Sequence, residues 1–218
     1  MPPIFHPSTN TIAKVTVLGA VVIVAALFGI VGVVVRSPYL TGVNVIDPQP
    51  VQFSHKHHVT DDGLDCRYCH QSVEVSAFAG MPSTEVCMNC HTYIWKDAPV
   101  LEPVRQSYQT GKPISWTRVT DLPDFVYFNH SIHVNRGVGC SSCHGPVDQM
   151  PLTWKAEPMT MEWCLKCHRD PARYLRPRDQ VFNMDWQPAA DQEQTGQRLI
   201  KDYGVNVAQL TDCYLCHR

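Results

Sequence analysis

Residues 53–70 read FSHKHHVTDDGLDCRYCH, and two features of that stretch organise the rest of the chain. The first is its end, Cys66-Arg67-Tyr68-Cys69-His70. The word Cys-x-x-Cys-His returns at Cys87, Cys90 and His91; at Cys140, Cys143 and His144; at Cys164, Cys167 and His168; and at Cys213, Cys216 and His217. These five copies use all ten cysteines of the 218 residues. Two thiols at this spacing, followed at once by a histidine, form the attachment signature of c-type haem: the thiols add to the vinyl groups and the histidine is carried beneath the iron. Zinc is the competing chemistry, because Cys66-x2-Cys69-x17-Cys87-x2-Cys90 has the spacing of a ribbon. A ribbon has no use for a histidine after every second cysteine, and histidine is only 11 of the 218 residues. Cys213 and Cys216 also lack a further pair to complete a four-cysteine site, and a thioredoxin-like pair would not recur five times. The expected cofactor is haem c, five copies, covalently attached.

The second feature is the beginning of the stretch, Phe53-x-His55-x-x-His58. Phe128-Asn-His130-Ser-Ile-His133 repeats it 75 residues on, while Cys66 to Cys140 is offset by 74 and Cys87 to Cys164 by 77. An internal repeat of this kind predicts two di-haem modules, about 53–91 and 128–168, followed by a lone fifth site at 213–217. Histidines three apart are neighbours on a helical turn, so His55 and His58, like His130 and His133, can each serve a different iron while holding two haems close. That provides four distal ligands beside the proximal His70, His91, His144, His168 and His217. His57 reads as a surface histidine, and His6 precedes the apolar run described below. The fifth iron then calls for another ligand. A methionine would raise its reduction potential, and Met150 is the first candidate because Asp148-Gln149-Met150-Pro151 has no methionine counterpart in the first module. Met159, Met161, Met184 and His57 remain open.

From Val15 to Val35 there are 21 residues without a charge, between Lys14 and Arg36. At about 1.5 Å per residue they match the roughly 30 Å hydrocarbon core of a bilayer. A transmembrane anchor is expected over 11–36, since a cleaved signal has a shorter apolar region and a small-residue cleavage site. The flanking charges barely decide orientation. Haem attachment outside the cytoplasm does, placing 1–10 as a cytoplasmic tail and 37–218 on the periplasmic or outer face of a bacterial inner (cytoplasmic) membrane.

The outer part carries 16 Lys and Arg against 20 Asp and Glu, which excludes the basic stripe of a nucleic-acid binder. At about 36 residues per haem, the chain cannot wrap each group in an ordinary core, so the porphyrins themselves must supply apolar surface. The predicted fold is mostly α with much irregular structure: one N-terminal transmembrane helix and a multihaem domain whose short helices carry the haem words. Pro99, Pro103, Pro113 and Pro123 interrupt the connector between modules. A further helix is expected from Asp191 to Tyr203, ended by Gly204. Arg169, Arg173, Arg176 and Arg178 read as a solvated face, with contacts to haem propionates as the functional alternative.

One anchor, two F-x-H-x-x-H words, MPSTEVCMNCH at 81–91, TMEWCLKCHRDP at 160–171 and a lone C-terminal haem word resemble the pentahaem cytochrome c subunit of alternative complex III; the modules are also similar to class III multihaem cytochromes. The resemblance implies an electron-transfer subunit, not catalytic by itself, of a respiratory or photosynthetic complex. Its partners would be an iron-sulfur protein, polytopic quinol-binding membrane subunits and a mono-haem cytochrome c. It would relay electrons from menaquinol to a periplasmic acceptor or oxidase. A free-standing single-anchor multihaem quinol dehydrogenase is the first alternative, and a multihaem reductase acting on a small nitrogen or sulfur oxide the second.

Overall fold

A computed structural model describes residues 5–217, so the first four residues of the expected tail lie outside the described residues. The chain divides into two units between Val43 and Asn44. The first is dominated by helix α1 (Thr9–Arg36), 28 residues long, with no buried side chain. It is long and apolar enough to cross a membrane. Arg36 closes its last turn, where a cation suits the negative end of the helix. The Ser37 hydroxyl donates to Val34 O at 2.6 Å and satisfies one of the terminal carbonyls. A single turn, α2 (Pro38–Thr41), follows and stops at Gly42, whose φ of 67° needs a glycine.

The second unit is mostly helical and irregular. It contains α3 (Cys66–Cys69), α4 (Thr84–His91), α5 (Glu102–Thr110), α6 (His130–Asn135), α7 (Ser141–His144), α8 (Met161–Arg169), α9 (Gln192–Asp202) and α10 (Cys213–Cys216). Among the described residues there is no sheet, only isolated bridges such as Val126 with His217 and Val138 with Leu175. Short side chains start several of these turns: Asp65 accepts from Arg67 N, Asn129 from Ile132 N and Thr160 from Trp163 N. Helix α9 lies where a helix was expected, with Gly204 at φ 61° beyond its end. The connector departs from the sequence reading, because α5 forms inside it. Pro103 sits in the first turn, where its missing N–H costs nothing.

Two small apolar clusters hold this unit. Val51, Leu101 and Val104 gather Cys87, Met88, Ile114 and Trp116. Val73, Val134 and Val181 gather Ala79 and Phe182. Ten buried apolar side chains among the described residues are too few to stabilise a unit this size alone. The modules are also not separate beads. His130 N donates to Ala77 O and Ser131 N to Ser76 O, seating α6 on the first module. In return Lys56 N reaches Met150 O, and the Thr60 hydroxyl donates to Asp148 O at 2.7 Å.

Candidate haem sites

Each haem word is a helical turn. His70 N donates to Cys66 O, His144 N to Cys140 O and His217 N to Cys213 O, all at 2.9 Å, which brings the two thiols, three residues apart, onto one face. All ten thiols are free. Among the described residues no three His, Cys, Asp or Glu side chains gather as a metal cage.

The imidazoles are oriented by their Nδ1 atoms. His70 faces Gly80 O at 2.7 Å, His91 faces Ile94 O at 3.0 Å, His168 faces Leu210 O at 2.7 Å and His217 faces Phe125 O at 3.2 Å. His58 faces Ser54 O, His130 faces Ala77 O and His133 faces Asn129 O. A carbonyl only accepts, so Nδ1 must carry the proton and Nε2 is left with its lone pair. This is the tautomer a metal ligand needs, held by the outer-shell contact that usually fixes such ligands. His55 uses the Thr153 hydroxyl at 2.9 Å instead.

Rings then meet in pairs. His58 faces His91 with centroids 6.2 Å apart, His130 faces His144 at 6.4 Å, and His133 faces His168 at 6.2 Å. Two imidazoles bound through one metal at about 2 Å per bond have centroids about 6 Å apart. The residues therefore fit a haem iron held from both sides. His55 sits with His70: burial lowers its pKa to about 4, with His70 and then His144 adding to the fall. His144 is likewise lowered to about 4 by burial, then by His130 and His70. Both stay neutral, and thus able to ligate, near neutral pH.

The repeat is reproduced in space. Phe53 stacks on His58 at 4.5 Å and meets His55 edge-on at 4.9 Å; Phe128 stacks on His133 at 4.5 Å and meets His130 edge-on at 4.7 Å. One phenyl ring thus braces both histidines of each module.

Neighbouring thiols show how the sites follow one another. Cys69 is raised by burial and then by Cys87; Cys140 is pushed up to about 11 by burial and then by Cys66. Cys143 is pushed up to about 12 by burial and then by Cys167, and Cys164 is raised by burial and then by Cys216. The sites thus form a row: Cys87/Cys90, Cys66/Cys69, Cys140/Cys143, Cys164/Cys167, Cys213/Cys216. Backbone contacts agree at the far end, where Tyr127 N donates to Cys216 O beside the second module.

Three expectations fare differently. Met150 is wholly enclosed, 0% exposed, with its backbone tied to Val147 and Lys56 beneath the first histidine turn. A methionine so enclosed packs as core beside that turn. Met161 is 63% exposed and lies one helical turn before Cys164, the thiol beside Cys216. His57 stays at the surface, against Asp61, Asp62 and the Trp95 ring. The arginines do not form one solvated face either. Arg173 pairs with Asp170 at 2.6 Å, whereas Arg176 is only 3% exposed.

Covalent attachment words on helical turns, with paired and pre-oriented imidazoles, define a multihaem c-type cytochrome. Residues 126–218 match the family model described as cytochrome c7 and related cytochrome c. The chain is also 35% identical over 125 residues to the multiheme cytochrome c subunit of menaquinone reductase from Nitratidesulfovibrio vulgaris (strain Hildenborough). That alignment covers 57% of this chain and 53% of the relative, so the chain spans about half the relative's length.

Proposed function

We propose that this chain is a membrane-anchored electron relay in a menaquinone-linked complex, carrying five haems in a row on the outer side of the membrane. Three histidine ring pairs at 6.2–6.4 Å carry the reading, because they match one metal between each pair. Bound there, each haem supplies a one-electron iron couple. The protein binds and orients: Cys residues tether, His55, His58, His130 and His133 close the second face of four sites, and Met161 closes that of the fifth. Helix α1 is read as the anchor. At the three sites with paired rings, histidines would hold the iron from both sides, which favours electron transfer there over binding of a small oxide.

The resemblance to alternative complex III supports flow out of menaquinol, with an iron-sulfur protein, polytopic quinol-binding subunits and a mono-haem cytochrome c as partners. A second direction is favoured by the relative, whose name is that of a menaquinone reductase. The two separate in membranes containing the native complex. Haem reduction on adding menaquinol supports the first, and oxidation of pre-reduced haems on adding menaquinone supports the second. Rapid reduction of the purified chain by menaquinol, with no partner subunit present, would overturn the relay and support a free-standing quinol dehydrogenase.

A further inference from the structure

Among the described residues, Asp148 carries the only buried carboxylate, 8% exposed. It lies in the turn Val147–Gln149, which packs against the turn His57–Asp61 of the first module. Gln149 Nε2 donates to Asp148 Oδ2 at 2.8 Å and to Thr60 Oγ1 at 3.0 Å, while the Thr60 hydroxyl donates to Asp148 O at 2.7 Å. Beside this network Lys56 N donates to Met150 O, and His55 meets the Thr153 hydroxyl. Residues 148–153 thus line the histidine turn that serves the site at Cys66 and Cys69. Among the described residues no ion pair reaches Asp148; Lys56, at the start of the facing turn, pairs with Asp61 at 3.1 Å instead. The acids nearer to this haem word in sequence, Asp61, Asp62 and Asp65, are half-exposed.

A buried carboxylate with only neutral partners is costly. The packing does not call for its charge, because an asparagine of the same shape would accept the same bond from Gln149. The charge reaches one haem word in particular. The Cys66 thiol is raised by burial first, and among charges by Asp65 and Asp148. Cys140 and Cys143, also raised first by burial, answer chiefly to Cys66 and Cys167. We infer that Asp148 is a tuning residue for the haem on Cys66 and Cys69, its buried carboxylate favouring the ferric iron and lowering the reduction potential of that site. A fixed negative charge stabilises the iron state that holds one electron fewer, and in a buried place it is screened by salt less than a surface acid is. A ferric haem core is net positive, so it is the counter-charge that the side chains around Asp148 do not supply. The effect acts through space, and the enclosure of Asp148 does not oppose it. This site is second in the row, so electrons moving between the ends cross it, and a lowered potential keeps them from resting there. The inference rests on the proposed haem at Cys66 and Cys69.

The experiment compares the mature full-length chain with Asp148→Asn and with the surface control Asp62→Asn, reading haem content by pyridine haemochrome and the five midpoints by spectroscopic redox titration at low and high salt. The expected result is five haems in each protein, with one midpoint raised in Asp148→Asn at both salt concentrations and any shift in Asp62→Asn gone at high salt. The same substitution is then made in a chain lacking the site, Cys66→Ala with Cys69→Ala. There Asp148→Asn should move none of the four remaining midpoints. Unmoved midpoints in Asp148→Asn would overturn the inference, as would a shift that survives in the four-haem chain, because the charge would then act on another site. Loss of a haem from Asp148→Asn would overturn it too, since assembly and not potential would need the charge. Absence of haem at Cys66 and Cys69 in the native chain defeats the haem reading itself, whereas five haems with unmoved midpoints defeats this inference alone.

Discussion

His133 and His168 show what single residues contribute here. Their rings are 6.2 Å apart, Nδ1 of each is engaged by a carbonyl, and burial lowers the His133 pKa, so both Nε2 atoms are available to one iron. Replacing His133 by Ala should convert one of five haems from low-spin to high-spin in electron paramagnetic resonance. His57→Ala should leave all five signals as they were. Met161→Ala should abolish a sulfur-to-iron charge-transfer band and lower one midpoint, while Met150→Leu should keep both. Phe128 braces two histidines at once, and the Phe128→Leu change should cost about 0.5–1.5 kcal/mol, read as a lower unfolding temperature with all haems retained.

Helices in the second unit are mostly platforms for side chains, one to two and a half turns long. Helix α9, at 11 residues, is the longest of those described there, and its value lies in how closely it packs. A Cβ on Gly196 would strike the backbone of Ala172, just before the buried Leu175 and Arg176. Gly196→Val should therefore force the helix away, cost about 1–3 kcal/mol as overpacking does, and lower the thermal midpoint of the mature protein. An exposed control such as Gln197→Ala should not. Helix α5 teaches the opposite lesson about prolines: Pro103 looked like an interruption in the connector, yet at the start of a helix it is tolerated, and Gly111 at φ 67° ends the element.

At the scale of the molecule, the two modules interlock through Ala77 with His130 and through Met150 with Lys56, and the five sites fall into a row. The Cys140→Ala, Cys143→Ala double variant should leave four haems. It should also slow electron equilibration between the two halves in flash-reduction kinetics. Much was legible beforehand, because haem attachment and the histidine repeat are local words: the two histidines of each module and their phenyl brace follow from residues two to five apart. What was not legible depends on contacts between distant segments. The burial of Arg176 is set by Ser141, Asn183 and Trp186, and the enclosure of Met150 by the first histidine turn, neither of which leaves a periodic trace in the sequence. Intact-mass spectrometry of the purified, denatured chain tests the central claim most directly. The expected mass is the polypeptide plus five haems that resist acid-acetone extraction; a colourless chain at the polypeptide mass, or one that binds zinc through its thiols, would contradict it.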